Sequence, residues 1–135
     1  MIGNLGEIVF KVSNDNIRTF TNLKESNSAK FVEHSVIGKK GLLEFVGFGA
    51  ATVTMKIKLD YTYGLNPYEE LKTFRKMFKA REAYDLVIGG KPIGDSLWVI
   101  ENFDEELETF DSAGNFISAT IDIRLREYID DYDGR

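Results

Sequence analysis

Four carboxylates within residues 104–108 form the densest group of side chains that could do chemistry. Carboxylate oxygens bind hard cations, and a pair of carboxylates can act as general acid and base. Because side chains alternate along a strand, only Asp104, Glu106 and Glu108 can converge. We interpret the group as a solvated strand face. The least favoured alternative is an enzyme that combines these carboxylates with Tyr61 or Tyr63, which requires them to meet in one pocket.

The other reactive residues lack the partners that catalysis or metal binding needs. His34 is the only histidine and there is no cysteine, so we interpret His34 as a surface residue. The segment 38–41 lacks the glycine spacing and the Lys-Ser/Thr pair of a phosphate loop. The acidic segment 130–134 lacks the ligand spacing of a calcium loop. The sequence therefore predicts no catalytic residues, no metal site and no cofactor.

The overall charge and hydropathy restrict the class of protein. The chain has 135 residues, of which 22 are acidic and 17 basic, and its net charge is −5. Sequence-specific binding to nucleic acids relies on basic contacts to phosphates, so this composition argues against it. No apolar segment approaches the roughly 20 residues of a membrane helix, and no signal peptide is recognisable. We expect a single domain, residues 1–135, that is made or assembled in the cytosol and has no membrane partner.

Residues 51–81 predict the strand and helix around which the rest of the chain is organised. Apolar and polar residues alternate in the first part, which places five apolar side chains on one face of a strand. These are Val53, Met55, Ile57, Leu59 and Tyr61. Asn66 and Pro67 then have the residue types of an N-cap and a first helical position, so a helix is predicted over 67–81. Its apolar side contains Leu71, Phe74 and Phe78, which predicts packing against the sheet.

The remaining segments predict strands joined by turns. The predicted strands are 7–13, 17–23, 29–36, 84–88, 96–110 and 116–128, and the apolar segment 42–51 (LLEFVGFGAA) is interrupted by glycines. The glycines at 47 and 49 indicate a bulge or a close backbone approach, and 14–16 has the composition of a turn. The acidic tail, 129–135, is expected to be mobile. This order favours an α+β fold, mainly antiparallel β, with a curled or two-layer sheet and one packed α-helix. Long hairpins such as 96–128 can also pair with a partner through an open edge.

Aromatic residues beside glycines or turns are candidate interface residues. Core packing is the default for the ten Phe, six Tyr and one Trp. Aromatic side chains next to turns can instead fill pockets on a partner. The candidates are Phe45, Phe48, Tyr61, Tyr63 and Trp98.

The order of these segments resembles the GpU family of tail proteins from contractile-tailed phages and phage-tail-like bacteriocins, or tailocins. The resemblance covers roughly residues 38–128 and rests on a series of features at similar spacing. These are FVGFG with Phe45, Gly47 and Gly49, the strand 53–59, Tyr61 and Gly64, the helix with Leu71, Phe74 and Met77, the segment 86–90, Gly94, the segment 98–100, Phe110, Gly114 and the strand 117–125.

The resemblance implies a structural, non-enzymatic protein with a tail-tube-like domain. It implies a hexameric ring that joins or surrounds the tail tube near the baseplate hub and is needed for tail assembly. A tube-terminating position at the head end is the competing placement. The implied partners are further copies of the chain, tail-tube and baseplate-hub proteins, and the sheath protein as a further candidate. Assembly would occur in the bacterial cytoplasm, and the product would be part of a virion or a phage-tail-like particle.

One alternative function follows from the residues alone. A small antiparallel β-barrel can bind an apolar small molecule, because curved sheets enclose cavities. This alternative predicts a monomer with an internal cavity whose mouth is formed by the glycine-rich turns.

Overall fold

The computed structural model describes residues 2–12 and 17–129. Its strands are β1 (Gly3–Leu5), β2 (Ile8–Val12), β3 (Ile17–Arg18), β4 (Phe20–Ser26), β5 (Ala29–His34), β6 (Leu42–Phe48), β7 (Thr52–Asp60), β8 (Ala83–Tyr84), β9 (Leu86–Ile88), β10 (Lys91–Pro92), β11 (Trp98–Phe110) and β12 (Phe116–Glu127). A 3-10 turn (Tyr61–Tyr63) and helix α1 (Pro67–Ala80) separate β7 from β8. The predicted turn at 14–16 and the tail beyond residue 129 lie outside the described residues.

The strands form two antiparallel sheets and a separate ribbon. The large sheet has the order β4-β7-β12-β11-β8, and the small sheet has the order β10-β9-β1-β2-β3. Strands β5 and β6 form a ribbon of their own, and we call residues 29–48 the arm. The predicted fold class is confirmed: the protein is mainly antiparallel β, with a strongly curled sheet and one helix.

The predicted alternation in the two central strands is confirmed. β7 and β12 pair antiparallel without interruption, from Thr52 opposite Arg126 to Asp60 opposite Ser118. The inward side chains of both strands are buried: Val53, Met55, Ile57, Leu59, Ala119, Ile121, Ile123 and Leu125. The core therefore lies on one face of the large sheet, and the small sheet adds Leu5, Ile8, Phe10 and Leu86 to it.

Helix α1 begins where the sequence predicts and covers the inward face of the large sheet. The Asn66 side-chain oxygen accepts a hydrogen bond from the Tyr68 N–H at 3.1 Å, which satisfies one free amide of the first turn. The helix ends one residue earlier than predicted, because Arg81 adopts a left-handed conformation with φ 57°. Leu71, Phe74 and Met77 are buried, whereas Phe78, predicted in the same apolar stripe, is 39% exposed.

Two bidentate ion pairs connect α1 to both sheets. Arg18 on β3 donates to both carboxylate oxygens of Glu70, at 2.6 and 2.8 Å. Arg75 on the helix donates to Glu105 on β11, with Nε 2.6 Å from Oε1. Such paired geometry is stronger and more directional than a single contact. The helix is therefore fixed between the small sheet and the large sheet.

Two predicted strands are each divided between the two sheets. The predicted strand 84–88 is interrupted at Asp85, so that β8 joins the large sheet and β9 joins the small one. The Asp85 carbonyl accepts a hydrogen bond from the Gly6 N–H at 2.9 Å, which fixes the crossing point. The predicted strand 17–23 is likewise divided at Thr19, between β3 and β4. Local residue pattern cannot show these crossings, because the segments on both sides of each crossing have strand composition.

The turn between β11 and β12 offers a test of pH-dependent stability. The Asp111 carboxylate accepts backbone hydrogen bonds from Asn115 and Ala113, both at 2.9 Å, and the bonds from Asn115 are the main reason that the pKa of Asp111 lies below its ordinary value of 3.8. A depressed folded-state pKa means that the stabilisation is complete above the ordinary pKa and is lost as pH falls through the folded pKa. Asp111→Ala should lower Tm by a few degrees at neutral pH, with a smaller difference near about pH 3. Thermal unfolding followed by circular dichroism at both pH values measures this, and a pH-independent difference would contradict it.

Candidate interface

The arm is the part of the described chain with the least support from the rest. Its strands pair with each other from Ala29 opposite Phe48 to His34 opposite Leu42, and among the described residues they pair with no other strand. The predicted irregularity is confirmed, because Val46 is an extra residue in the register. A Cβ on Gly49 would lie 2.5 Å from the Ser28 hydroxyl oxygen, whereas a Cβ on Gly47 would meet no atom within 4 Å. An isolated two-stranded ribbon is only marginally stable in water, so the arm needs a cover.

One face of the arm is apolar and open to solvent. The register places Phe31, Leu43, Phe45 and Phe48 on this face, and we call these four residues the arm's apolar face. Their exposed fractions are 52%, 67%, 50% and 82%, respectively. The Phe45 ring contacts Phe31 and Phe48 edge to face, with centroid distances of 5.5 and 5.0 Å. A contiguous exposed apolar surface of this kind is typical of an interaction site.

The opposite face of the arm is more polar. Lys30, His34 and Glu44 lie on it, and the His34 Nε2 is 2.6 Å from a Glu44 carboxylate oxygen. His34 is therefore an exposed residue of the arm, as the sequence predicted. Glu33 also lies on the apolar face, and the exposed Val32 and Leu42 lie on the opposite one, so the three phenylalanines are what distinguishes the two faces.

The large sheet has an open edge on each side. On the outer side of β11, β8 pairs only with Trp98 and Val99, so within the described chain the strand has no outer partner from residue 100 to residue 110. Strand β4 forms the opposite edge. The predicted hairpin 96–128 contributes the open edge of β11, because β12 lies inside the sheet between β11 and β7. Open edges carry unpaired backbone groups and are ready sites for strand addition.

The outward face of the large sheet differs in charge between its two edges. On the β11 side it presents Asp104, Glu106 and Glu108. On the β4 and β7 side it presents Lys24, Lys56 and Lys58. Within the subunit this contrast is partly neutralised, since Lys58 Nζ lies 3.4 Å from the Glu108 carboxylate. On this outward face the β11 edge is acidic, whereas the charged residue of the β4 edge is Lys24, since Glu25 on β4 lies on the other face.

Two of the five predicted interface residues lie on the 3-10 turn. Tyr61 is 48% exposed, and Tyr63 is half-buried against the core. Tyr61 lines a cleft of about 290 Å³ together with Tyr68 and Phe116. This small aromatic surface is separate from the arm, which contains the predicted Phe45 and Phe48.

Trp98 is placed in the core instead of on a surface. It has no exposed area, and its indole N–H donates to the Ile93 carbonyl at 2.8 Å. Gly94 adopts φ 76°, and a Cβ there would lie 2.8 Å from the indole ring. The loop that follows β10 therefore folds over Trp98 and leaves no indole surface for a partner. Trp98 is a core residue of the subunit.

The carboxylates and tyrosines of the enzyme alternative line different clefts. Asp104 lines a cleft of about 380 Å³ with Lys56 and Arg124, whereas Tyr61 lines the aromatic cleft described above. Glu105 points to the other face of the sheet and binds Arg75. Within residues 2–12 and 17–129, no three acidic or histidine side chains are grouped as a metal site would need, and no helix has the length and apolarity to span a membrane. The convergence that the enzyme alternative requires is not observed.

A comparison with models of known protein families finds one that matches most of the chain. The family model described as Phage P2 GpU matches residues 6–130, a range that includes the arm, α1 and both long strands. The chain belongs to the Phage P2 GpU family. The resemblance drawn from the sequence is thereby confirmed. A search of curated proteins finds no match.

Membership in the GpU family makes the protein a phage tail-associated structural protein. It favours a structural role over an enzymatic one, and association with other tail proteins. For a GpU protein, open strand edges and an uncovered apolar arm are the features that assembly would use.

Proposed function

We propose that this GpU protein forms a hexameric ring that joins or surrounds the tail tube near the baseplate hub and is needed for tail assembly. The observation that carries the ring is the pair of open edges on one sheet, whose outward face is acidic at β11 and carries Lys24 at β4. The number of copies and the position near the hub rest on the family resemblance. The proposed partners are other copies of the chain, tail-tube and hub proteins, and the sheath protein. Assembly would take place in the bacterial cytoplasm, for a phage or a tailocin particle.

The strand directions allow the large sheet to continue from one copy into the next. Neighbouring strands in the order β4-β7-β12-β11 are antiparallel, so β4 and β11 run in opposite directions. When β4 of one copy lies beside β11 of the next, the antiparallel pattern is preserved. This contact joins two different surfaces, and a heterologous contact produces a ring when the rotation between successive copies closes on itself. The closed ring leaves no open edge on the large sheets.

Charge favours this pairing over a symmetric one. Pairing β11 with β11 would bring Asp104 and Glu106 against the same residues of a second copy, and like charges on adjacent strands are destabilising. Pairing β4 with β11 in the register of the subunit would place Lys24 opposite Asn102 and diagonal to Asp104 instead. The outward charges therefore select the head-to-tail contact that a ring needs.

Native mass spectrometry over a range of protein concentrations tests the ring directly. A hexamer is the expected species, either for the protein alone or after addition of purified tail-tube and hub proteins. A monomer that carries a co-purified small molecule would contradict the proposal in favour of the ligand-binding barrel. A monomer that also fails to bind tube and hub proteins would contradict it as well. Labelling the protein in assembled tails then distinguishes the hub end from the head end.

Charge reversal tests which edges meet. Lys24→Glu and Asp104→Lys should each raise the concentration for half-assembly by about tenfold, because each creates a like-charge contact. The double variant restores opposite charges and should recover most of the loss. Lys91→Glu is the matched control, since Lys91 is exposed on the small sheet away from both edges. Size-exclusion chromatography measures assembly, and the absence of recovery in the double variant would contradict direct pairing.

A further inference from the structure

We infer that the arm of one copy docks in the cleft between the C-terminal end of α1 and β11 of the neighbouring copy. This inference rests on the ring proposed above and adds the binding site of the arm. The cleft has a volume of about 410 Å³ and is lined by the apolar Met77, Phe78, Val99 and Ile100 together with Lys79, Arg81 and Glu82. Its size is within the range of sites that enclose small organic groups, and its apolar lining suits aromatic side chains.

The structure limits where an incoming β4 can end. β8 occupies the outer edge of β11 at Trp98 and Val99, so a neighbour's β4 can pair only from Ile100 onwards. Because β4 is antiparallel to β11, its C-terminal residue Ser26 points towards β8. The incoming strand must therefore leave the sheet beside Ile100, where the cleft lies.

The strand pairing within the subunit places the C-terminal end of β4 level with the residues of β11 that line the cleft. Ser26 pairs with Thr52, Thr52 pairs with Arg126, and Arg126 pairs with Val99. Ser26 is thus level with Val99 across the large sheet. If the register continues between copies, Ser26 of one copy arrives next to the cleft of the other.

The arm follows β4 almost immediately. Two residues separate Ser26 from Ala29, where β5 begins, and an extended chain rises about 3.3 Å per residue. Ala29 is therefore at most about 10 Å from the end of β4, and Phe48 lies opposite Ala29 on the neighbouring strand of the arm. Phe31 is next on the same face. The part of the apolar face nearest the body is therefore delivered to the cleft.

The charge of the arm favours a second copy as its partner. Residues 29–48 contain three lysines and two glutamates, a net charge of +1 with His34 neutral, whereas the whole chain carries −5. The rest of the chain therefore carries −6. The cleft itself carries Lys79, Arg81 and Glu82, so the attraction comes from the net charge of the body as a whole. Opposite charge steers the arm of one copy to the body of another.

Photo-crosslinking of the assembled ring tests the docking site. Benzoylphenylalanine replaces Phe31 in one preparation and Phe45 in another, and isotope-labelled and unlabelled subunits are mixed so that adducts between copies are recognised by mass. The expected adducts join the arm to residues 77–82 or 99–100 of a second copy. A probe at Val32, on the opposite face of the arm, is the control and should not yield these adducts. Rings whose adducts map elsewhere would overturn the docking and leave the ring intact, whereas a wild-type protein that forms no ring would overturn both.

A substitution on the apolar face gives an independent readout. Phe48→Ser should leave the far-UV circular dichroism unchanged, because the side chain is 82% exposed in the subunit. It should raise the concentration for half-assembly by about tenfold, because an aromatic anchor at an interface is lost. Val12→Ser removes a similarly exposed apolar side chain, 59% exposed, from the small sheet and should have little effect. Equal effects of the two substitutions would overturn the inference.

Discussion

Aspartate in place of Ile121 is expected to unfold the protein. Ile121 has no exposed surface and lies in the middle of β12, opposite Ile57 on β7 and Glu105 on β11. A carboxylate there would be buried among apolar side chains and close to Glu105, which is already engaged by Arg75. We expect a loss above about 4 kcal/mol, which is comparable to the total stability of many domains.

The same substitution on the other face of the sheet provides the control. Thr54 lies on the outward face of β7, is exposed and pairs with Arg124, so Thr54→Asp places a carboxylate beside a guanidinium in water. Its free energy of unfolding should stay within about 1 kcal/mol of the wild-type value. Circular dichroism and urea titration compare the two variants. A folded, soluble Ile121→Asp protein would show that this face of β12 is not core.

The parts of the fold that the sequence predicted are those determined by local pattern. The strict alternation in β7 and β12 specified both their strand character and their buried faces, because a one-residue shift would expose the whole apolar set. Asn66 and Pro67 specified the start of α1, because N-cap geometry depends on adjacent residues alone. Turn chemistry did the same for the segment after Asp111, whose carboxylate binds the backbone of the turn.

The parts that the sequence did not predict depend on what lies next to a segment in space. The arm strand Leu42–Phe48 is as apolar as a core strand, yet its large apolar side chains are exposed in the subunit. Apolar composition indicates that a surface is to be buried, but it does not indicate which chain buries it. Their proximity to glycines nevertheless indicates Phe45 and Phe48 as interface candidates. Phe31 and Leu43 could have been found only from the register, which places them on the same face.

Trp98 is the opposite case, an aromatic residue expected at the surface that lies in the core of the subunit. Its proximity to Gly94 suggested an exposed aromatic residue, whereas the glycine lets the preceding loop close over the indole ring. Trp98→Ala should therefore lower the free energy of unfolding by about 3–5 kcal/mol, because it removes a fully buried ring and leaves a cavity. Chemical denaturation measures this loss.

Assembly of the Trp98 variants separates a core role from an interface role. Trp98→Phe retains most of the apolar volume but loses the hydrogen bond to the Ile93 carbonyl, so its expected loss is smaller, about 1–2 kcal/mol. Both variants should form rings as readily as wild type when compared at equal concentrations of folded protein, because a residue without exposed surface contributes nothing directly to a contact between copies. If a Trp98 variant had the stability of the wild type but failed to assemble, Trp98 would instead be an interface residue. Loss of stability with normal assembly leaves the arm and the sheet edges as the surfaces through which this GpU protein associates.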